Sequence, residues 1–238
     1  MFNLLKTVCL AGMLAACSKS SPPAASTPAP APDTIPANSS RSLLALGDSY
    51  TIGQSVPDSV RFPNQAKKIL GSYGKNISTV RYVATTGWTT ADLQYALQAN
   101  PITNTYDYVS LLIGVNNQYQ GRSLEEYKVQ FTDLLQSAIR YAGNRRSHVF
   151  VVSIPDYSVT PFAASYDTAR ISREIDQFNA ANFTISQQYG VNYINITPGS
   201  RDARYDPSLV AYDGLHPSGK EYTKWAIALA AGIQANWQ

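Results

Sequence analysis

Short apolar runs alternate with longer helical patterns along most of the chain, and this alternation limits the fold more than any other feature. Several of the runs are nearly continuous in apolar residues, as expected for parallel strands that are covered on both faces. These candidate strands lie at 42–47, 78–84, 107–113, 148–154 and 191–196. The helical patterns lie at 63–72, 90–99, 123–142, 168–189 and 218–235. Strand followed by helix throughout predicts an α/β fold with a parallel sheet and helices on both of its faces.

Hydroxyl side chains mark the starts of two of these helices. Ser123 is followed three residues later by Glu126, which predicts a capping box. Thr90 is the predicted cap of the helix at 90–99. One side of the helix at 168–189 is apolar, and only Asn182 interrupts it.

The first 17 residues, MFNLLKTVCLAGMLAAC, indicate export from the cytoplasm. One lysine precedes an apolar stretch of roughly ten residues, which is too short to span a bilayer and is typical of a secretory signal. The segment Leu14-Ala15-Ala16-Cys17 resembles a bacterial lipobox, in which the cysteine is lipidated and becomes the first mature residue. We therefore predict a lipoprotein signal peptide at 1–16 and lipidation at Cys17. The alternative is a plain signal peptide that is cut near Ala16.

The segment 17–40 is predicted to be a linker, because after Cys17 it consists largely of Ser, Pro and Ala. Ser18 follows the cysteine, and by the sorting rule of Gram-negative lipoproteins this favours the outer membrane. The expected location is the bacterial cell envelope, with a lipid anchor in the membrane and a folded domain at 41–238. A formal net charge of only +3, without blocks of like charge, argues against a nucleic-acid partner.

Polar motifs follow the predicted strands at the edge where open parallel sheets bind ligands. The first three strands are followed by Gly47-Asp48-Ser49, Thr85-Thr86-Gly87 and Gly114-Val115-Asn116-Asn117. A fourth motif, Asp213-Gly214-Leu215-His216, lies just before the last helix.

Together the motifs contain every part of a serine nucleophile site. Ser49 would attack, His216 would take its proton, and Asp213 would orient the imidazole and stabilise its positive charge. The backbone N–H groups of Ser49 and Gly87 and the side-chain amide of Asn116 would form an oxyanion hole.

Each motif alone also has a purely structural interpretation. Gly-Asp-Ser is common turn chemistry, and Asp213 could merely cap the helix that follows it. His148, the only other histidine, precedes an apolar strand without an acidic neighbour, and we interpret it as structural. The functional interpretation depends on the four motifs occurring together and in order.

This ordered set resembles the SGNH hydrolases, also called GDSL esterases. The four residues that name the family match Ser49, Gly87, Asn116 and His216, in the segments LALGDSY, ATTGWTT, GVNN and DGLH. The resemblance covers about residues 42 to 235. It implies a flavodoxin-like three-layer α/β/α sandwich around a mainly five-stranded parallel sheet. It also implies that the chain is a carboxylesterase without a metal or organic cofactor.

The sequence departs from the family at Asn117, where an aspartate is usual. That aspartate is generally a structural hydrogen-bonding group, so the departure affects the rigidity of the loop more than the catalytic residues. Asp48 is expected to hold its loop by hydrogen bonds rather than to act in catalysis.

The resemblance leaves the substrate open, since the family includes lipases, thioesterases, lysophospholipases and carbohydrate acetylesterases. We expect a small acyl or acetyl ester in the envelope, because no large hydrophobic lid is evident. The alternatives are a lysophospholipase or thioesterase acting on lipid, and a non-catalytic lipoprotein that binds glycans. The loop at 155–168 carries Tyr157, Phe162 and Tyr166, which together with Tyr119 could contact a sugar or an acyl chain or could pack the loop onto the domain.

Overall fold

A five-stranded parallel sheet forms the centre of residues 40–237, the part of the chain that this computed structural model describes. The predicted signal peptide at 1–16, the lipidation site Cys17 and the linker up to residue 39 lie outside the described residues. The strand order is β2-β1-β3-β4-β5, and every neighbouring pair is parallel. The strands are β1 (Arg41–Gly47), β2 (Ile77–Ala84), β3 (Tyr108–Leu112), β4 (Val149–Val152) and β5 (Asn192–Ile194).

The inner strands are the most apolar because both of their faces are covered. All residues of β3 and β4 are buried, and in β1 only Ser42 is partly exposed. The edge strands β2 and β5 are more exposed and more polar. The nearly continuous apolar runs therefore reflect coverage on two sides, as the sequence predicts.

Eight α-helices connect and cover the strands in the described residues. They are α1 (Ser49–Ile52), α2 (Phe62–Ser72), α3 (Thr90–Ala99), α4 (Val115–Tyr119), α5 (Leu124–Tyr141), α6 (Thr168–Tyr189), α7 (Thr197–Ser200) and α8 (Gly219–Ala235). Helices α2 and α8 pack against each other, and α5 packs between α3 and α6. With right-handed crossovers, this arrangement places α2 and α8 on one face of the sheet and α3, α5 and α6 on the other. The predicted three-layer α/β/α sandwich is confirmed.

The two predicted helix caps differ in detail from the structure. Thr89, not Thr90, caps α3: its hydroxyl accepts from the backbone N–H of Asp92, and the Asp92 carboxylate accepts from the Thr89 N–H. Ser123 does cap α5, accepting from the N–H of Glu126 at 3.1 Å. The Glu126 carboxylate instead accepts from Gln130 in the next turn, so only half of the predicted capping box forms.

Asn182 is buried on the apolar side of α6, where the sequence pattern is interrupted. Its amide donates to the Tyr127 hydroxyl at 3.1 Å, and its oxygen accepts from the Tyr193 hydroxyl at 2.7 Å. A buried amide is tolerated there because both ends of it are hydrogen-bonded.

In residues 40–237, no helix combines the length and the apolar character needed to cross a membrane.

Candidate active site

Ser49 is the first residue of α1 and lies just beyond the carboxyl end of the inner strand β1. Asp48 occupies the cap position, and its carboxylate accepts from the backbone N–H of Tyr50 at 3.0 Å. The strand-to-helix junction is tight, because a Cβ at Gly47 would overlap the carbonyl oxygen of Leu112 and the hydroxyl of Thr51. The Gly-Asp-Ser turn thus holds the largely buried Ser49 at the edge where parallel sheets bind ligands.

Ser49, His216 and Asp213 form a continuous hydrogen-bonded line. The Ser49 Oγ lies 2.9 Å from Nε2 of His216, and Nδ1 of His216 lies 2.6 Å from Oδ2 of Asp213. An ionised carboxylate can only accept, so Nδ1 carries the imidazole proton and Nε2 is free to accept from the serine hydroxyl. This is the tautomer in which a histidine can remove a proton from serine.

Asp213 accepts hydrogen bonds from other donors besides the imidazole of His216. Its Oδ1 accepts from the backbone N–H groups of Leu215 and His216 at 2.9 and 3.0 Å. Its Oδ2 accepts from the Ser55 hydroxyl at 2.5 Å as well as from His216. Burial by itself would raise the pKa of Asp213, but these hydrogen bonds, with that of Ser55 the strongest among them, lower the pKa to about 2. The carboxylate is therefore ionised at any pH near neutrality.

Gly87 and Asn116 lie on adjoining loops beside this line. The Asn116 amide donates to the carbonyl of Trp88 at 2.9 Å, which ties the loop after β3 to the turn that contains Gly87. Gly87 is exposed, has a positive φ of 83° and has open space where a side chain would project. Asn116 lines the cleft together with Ser49. Their predicted role as oxyanion donors stays a prediction.

A small cleft opens beside Ser49, with a volume of about 120 Å³. Its lining residues come from four separate parts of the chain: Ser49, Tyr50, Val115, Asn116, Tyr119, Tyr157, Phe162, Leu215 and His216. A larger groove of about 750 Å³ lies between α5 and α6, and none of the residues that line it belongs to the hydrogen-bonded line. In residues 40–237 we find no group of three or more His, Cys, Asp or Glu side chains that could hold a metal ion.

The comparison with models of protein families decides which family this architecture represents. Residues 45–224 match the GDSL-like Lipase/Acylhydrolase family. The chain belongs to this family. As a GDSL-like acylhydrolase, it is an enzyme that hydrolyses ester bonds, and the resemblance found in the sequence motifs is confirmed.

Solved structures of similar fold include several esterases. Axe2, an acetylxylan esterase from Geobacillus stearothermophilus, has a TM-score of 0.65 and 19% identity, covering 85% of this chain and 98% of that one. A lipase/acylhydrolase from Enterococcus faecalis has a TM-score of 0.62 and 18% identity, covering 82% and 96%. TesA has a TM-score of 0.62 and 16% identity, covering 82% and 99%. At these identities the likeness shows a shared fold. The comparison with curated proteins found no match.

The unusual Asn117 of this GDSL-like acylhydrolase is hydrogen-bonded at both ends of its side-chain amide. It is fully buried, its oxygen accepts from the N–H of Thr90 at 3.0 Å, and its amide donates to the Thr90 hydroxyl at 2.7 Å. The Thr90 hydroxyl is free to accept because it donates its own proton to Gln130. The amide therefore joins α4 to α3 without the usual carboxylate.

Ser55 is the main site residue that the sequence patterns do not reveal. It lies six residues after Ser49, its backbone adopts a positive φ of 67°, and its hydroxyl donates to Asp213. Serine rarely takes this conformation, so no local pattern in the sequence predicts the contact.

We expect Asp48→Asn to change how the stability of this enzyme depends on pH. Asp48 is completely buried, and burial raises its pKa from 3.8 to about 7. Between these pH values the folded state holds a proton that the unfolded state has lost, so the free energy of unfolding falls as pH rises. The variant has no carboxyl group at position 48, so its free energy of unfolding does not fall with pH for this reason. In urea unfolding, its stability relative to wild type should therefore be greater at pH 8 than at pH 5. The same relative stability at both pH values would show that Asp48 is ionised throughout.

Proposed function

We propose that this GDSL-like acylhydrolase is a serine esterase that cleaves short-chain carboxylic esters through an acyl-enzyme on Ser49. The observation that carries the proposal is the line from Ser49 through His216 to Asp213, with contacts of 2.9 and 2.6 Å. A serine hydroxyl is a weak nucleophile unless a base accepts its proton, and His216 is placed to accept it.

In the first half of the reaction, Ser49 Oγ forms a bond to the ester carbonyl carbon while its proton passes to Nε2 of His216. The ionised Asp213 stabilises the resulting imidazolium through Nδ1. The tetrahedral intermediate collapses when His216 returns the proton to the leaving alcohol. A water molecule then repeats the sequence on the acyl-enzyme, giving the carboxylic acid and free Ser49.

Three donors would stabilise the oxyanion. Ser49 is the first residue of α1, and the first N–H groups of a helix have no acceptor within it. Gly87 has no side chain to block the approach of a substrate to its backbone. The Asn116 amide uses one hydrogen for Trp88, and a primary amide has a second to donate.

The size of the cleft favours a short acyl group. A cleft of about 120 Å³ beside Ser49 is large enough for an acetyl or similarly small group and is small for a long hydrocarbon chain. This preference distinguishes the proposal from a lysophospholipase or a long-chain thioesterase.

We also propose that the enzyme is an envelope lipoprotein anchored through Cys17, on the strength of the lipobox-like segment alone. Cells expressing the full chain should incorporate radiolabelled palmitate into the protein, and Cys17→Ala should abolish the label. Export without any label would instead support a plain signal peptide.

The purified protein should hydrolyse p-nitrophenyl acetate and butyrate much faster than the decanoate. We expect Ser49→Ala to lower kcat/KM on the acetate by on the order of 10⁴-fold or more, because a serine nucleophile and its base act as one unit. Ser59→Ala, which removes an exposed hydroxyl outside the cleft, is the matched control and should retain wild-type activity. Full activity of Ser49→Ala would refute the acyl-enzyme, and a preference for the decanoate would refute the short-chain proposal. A protein without turnover on any ester would favour the glycan-binding alternative.

A further inference from the structure

We propose that the aromatic shelf formed by Tyr119, Phe162 and Tyr166 binds a pyranose ring of the leaving alcohol, so that the natural substrate is an acylated carbohydrate. This inference rests on the proposed esterase function and extends it from the acyl group to the alcohol.

The shelf lies at the entrance to the catalytic cleft. Tyr119 ends α4, three residues after Asn116, and Phe162 belongs to the turn Pro161–Ser165. Both rings line the cleft that contains Ser49. The backbone N–H of Phe162 donates to the carbonyl of Gly214 at 2.9 Å, so the shelf is attached to the turn that carries Asp213.

The three rings form one connected surface that is open to solvent. Tyr119 is 50% exposed, Phe162 36% and Tyr166 47%. Phe162 and Tyr166 are stacked with centroids 5.6 Å apart and an interplanar angle of 21°. Tyr119 lies 6.1 Å from Phe162 and 6.4 Å from Tyr166. Exposed and contiguous aromatic rings beside a reactive group are typical of a ligand surface.

Tyr157 has a different role from the shelf. It is 4% exposed, and its hydroxyl donates to Gln118 at 2.9 Å, so this ring packs the loop onto the domain. Next to it, the buried carboxylate of Asp156 accepts from Arg201 at 2.8 Å and from Ser172 at 2.6 Å. These hydrogen bonds fix the segment that carries Phe162 and Tyr166, so less conformational entropy is lost when a ligand binds to the shelf.

The chemistry of the shelf favours a sugar over an acyl chain. The hydroxyls of Tyr119 and Tyr166 lie 3.5 Å apart, at the solvent side of the rings. A hydrocarbon chain laid across them would remove water from both hydroxyls without replacing its hydrogen bonds. A pyranose offers C–H groups to the ring faces and hydroxyls to the phenols, so both kinds of surface are satisfied.

The test compares two acetates that differ only in their alcohol: an acetylated methyl β-D-xylopyranoside and ethyl acetate. Tyr166→Ala should lower kcat/KM on the acetylated glycoside about five- to tenfold, mainly through KM, since this is the usual energy of an aromatic contact. On ethyl acetate the variant should stay within about twofold of wild type. The matched control is Tyr95→Ala, which removes an exposed tyrosine of α3 and should change neither rate.

Equal losses on both acetates, or no loss on either, would overturn the shelf as a sugar site. A selective loss on a long-chain ester of ethanol would overturn it in favour of acyl binding. If the wild-type protein hydrolyses neither acetate, the esterase proposal itself fails, and this result is distinct from an active enzyme whose shelf variants show no selectivity.

A separate observation assigns a positioning role to Ser55. We infer that the Ser55 hydroxyl fixes the Asp213 carboxylate for His216, because it donates at 2.5 Å to the same Oδ2 that His216 contacts. The adjacent Gln54 accepts from the Thr86 hydroxyl at 2.8 Å, next to Gly87. Two neighbouring residues thus bind two parts of the site: Ser55 binds Asp213, and Gln54 binds the turn that contains Gly87.

The backbone of Ser55 supports this role. A non-glycine residue at a φ of 67° is strained, and such strain persists where surrounding contacts demand it. The other described non-glycine residue with positive φ is Asn144, which lies in the turn after α5 with a φ of 62°.

Ser55→Gly removes the hydroxyl and can keep the backbone conformation, because glycine adopts positive φ without strain. We expect kcat to fall about tenfold with KM unchanged, because the Asp213 carboxylate loses one of the hydrogen bonds that fix it. The NMR resonance of the His216 Nδ1 proton should move downfield, because Oδ2 is no longer shared with a second donor. Asn144→Gly makes the same backbone change away from the site and should leave kcat and the resonance unaltered. A Ser55→Gly enzyme with wild-type kcat and an unmoved resonance would show that Ser55 only shapes the loop.

Discussion

The 2.9 Å contact between Ser49 and His216 joins residues 167 positions apart, and the rest of the site depends on it. It requires the first strand and the last loop of the chain to meet at one edge of the sheet. Aromatic packing holds them there: the Tyr50 ring lies 5.3 Å from the His216 ring and 6.3 Å from that of Trp225 in α8. Trp225 in turn contacts Phe62 of α2. The core under α2 and α8 therefore positions the base against the nucleophile.

In the proposed complex, both ends of an ester lie at the sheet edge beside Ser49. We propose that the acyl side enters the small cleft beside Ser49, whose lining comes from the loops after β1, β3 and β4 and from the turn that carries His216. We propose that the alcohol side meets the exposed rings at the entrance to the same cleft, Tyr119 from α4 and Phe162 and Tyr166 from the segment after β4. Asp156 and Arg201 anchor that segment. Connecting segments vary more readily than the sheet that supports them. In this account, the sheet edge provides the chemistry, and the end of α4 together with the segment after β4 provides the choice of alcohol.

Sequence patterns predict the sheet, the helices and the motifs well because each depends on local periodicity or on a short motif. Short apolar runs predict all five strands, and DGLH predicts a turn whose Asp213 and His216 do contact each other. The patterns fail where tertiary contacts decide. Thr90 was the expected cap, but its hydroxyl is used by Asn117 and Gln130, and Thr89 caps instead. Ser55 depends on a positive φ and on a partner 158 residues away, neither of which leaves a local signal.

The most direct test of the central claim is to locate the residue that a serine-directed p-nitrophenyl phosphonate modifies. Such a reagent reacts with a hydroxyl whose proton a base can remove, and it leaves a stable adduct. Peptide mass spectrometry should find one adduct, on Ser49, with labelling strongly slowed in His216→Ala. No adduct on Ser49, or labelling of Ser49 at the same rate without His216, would contradict the account.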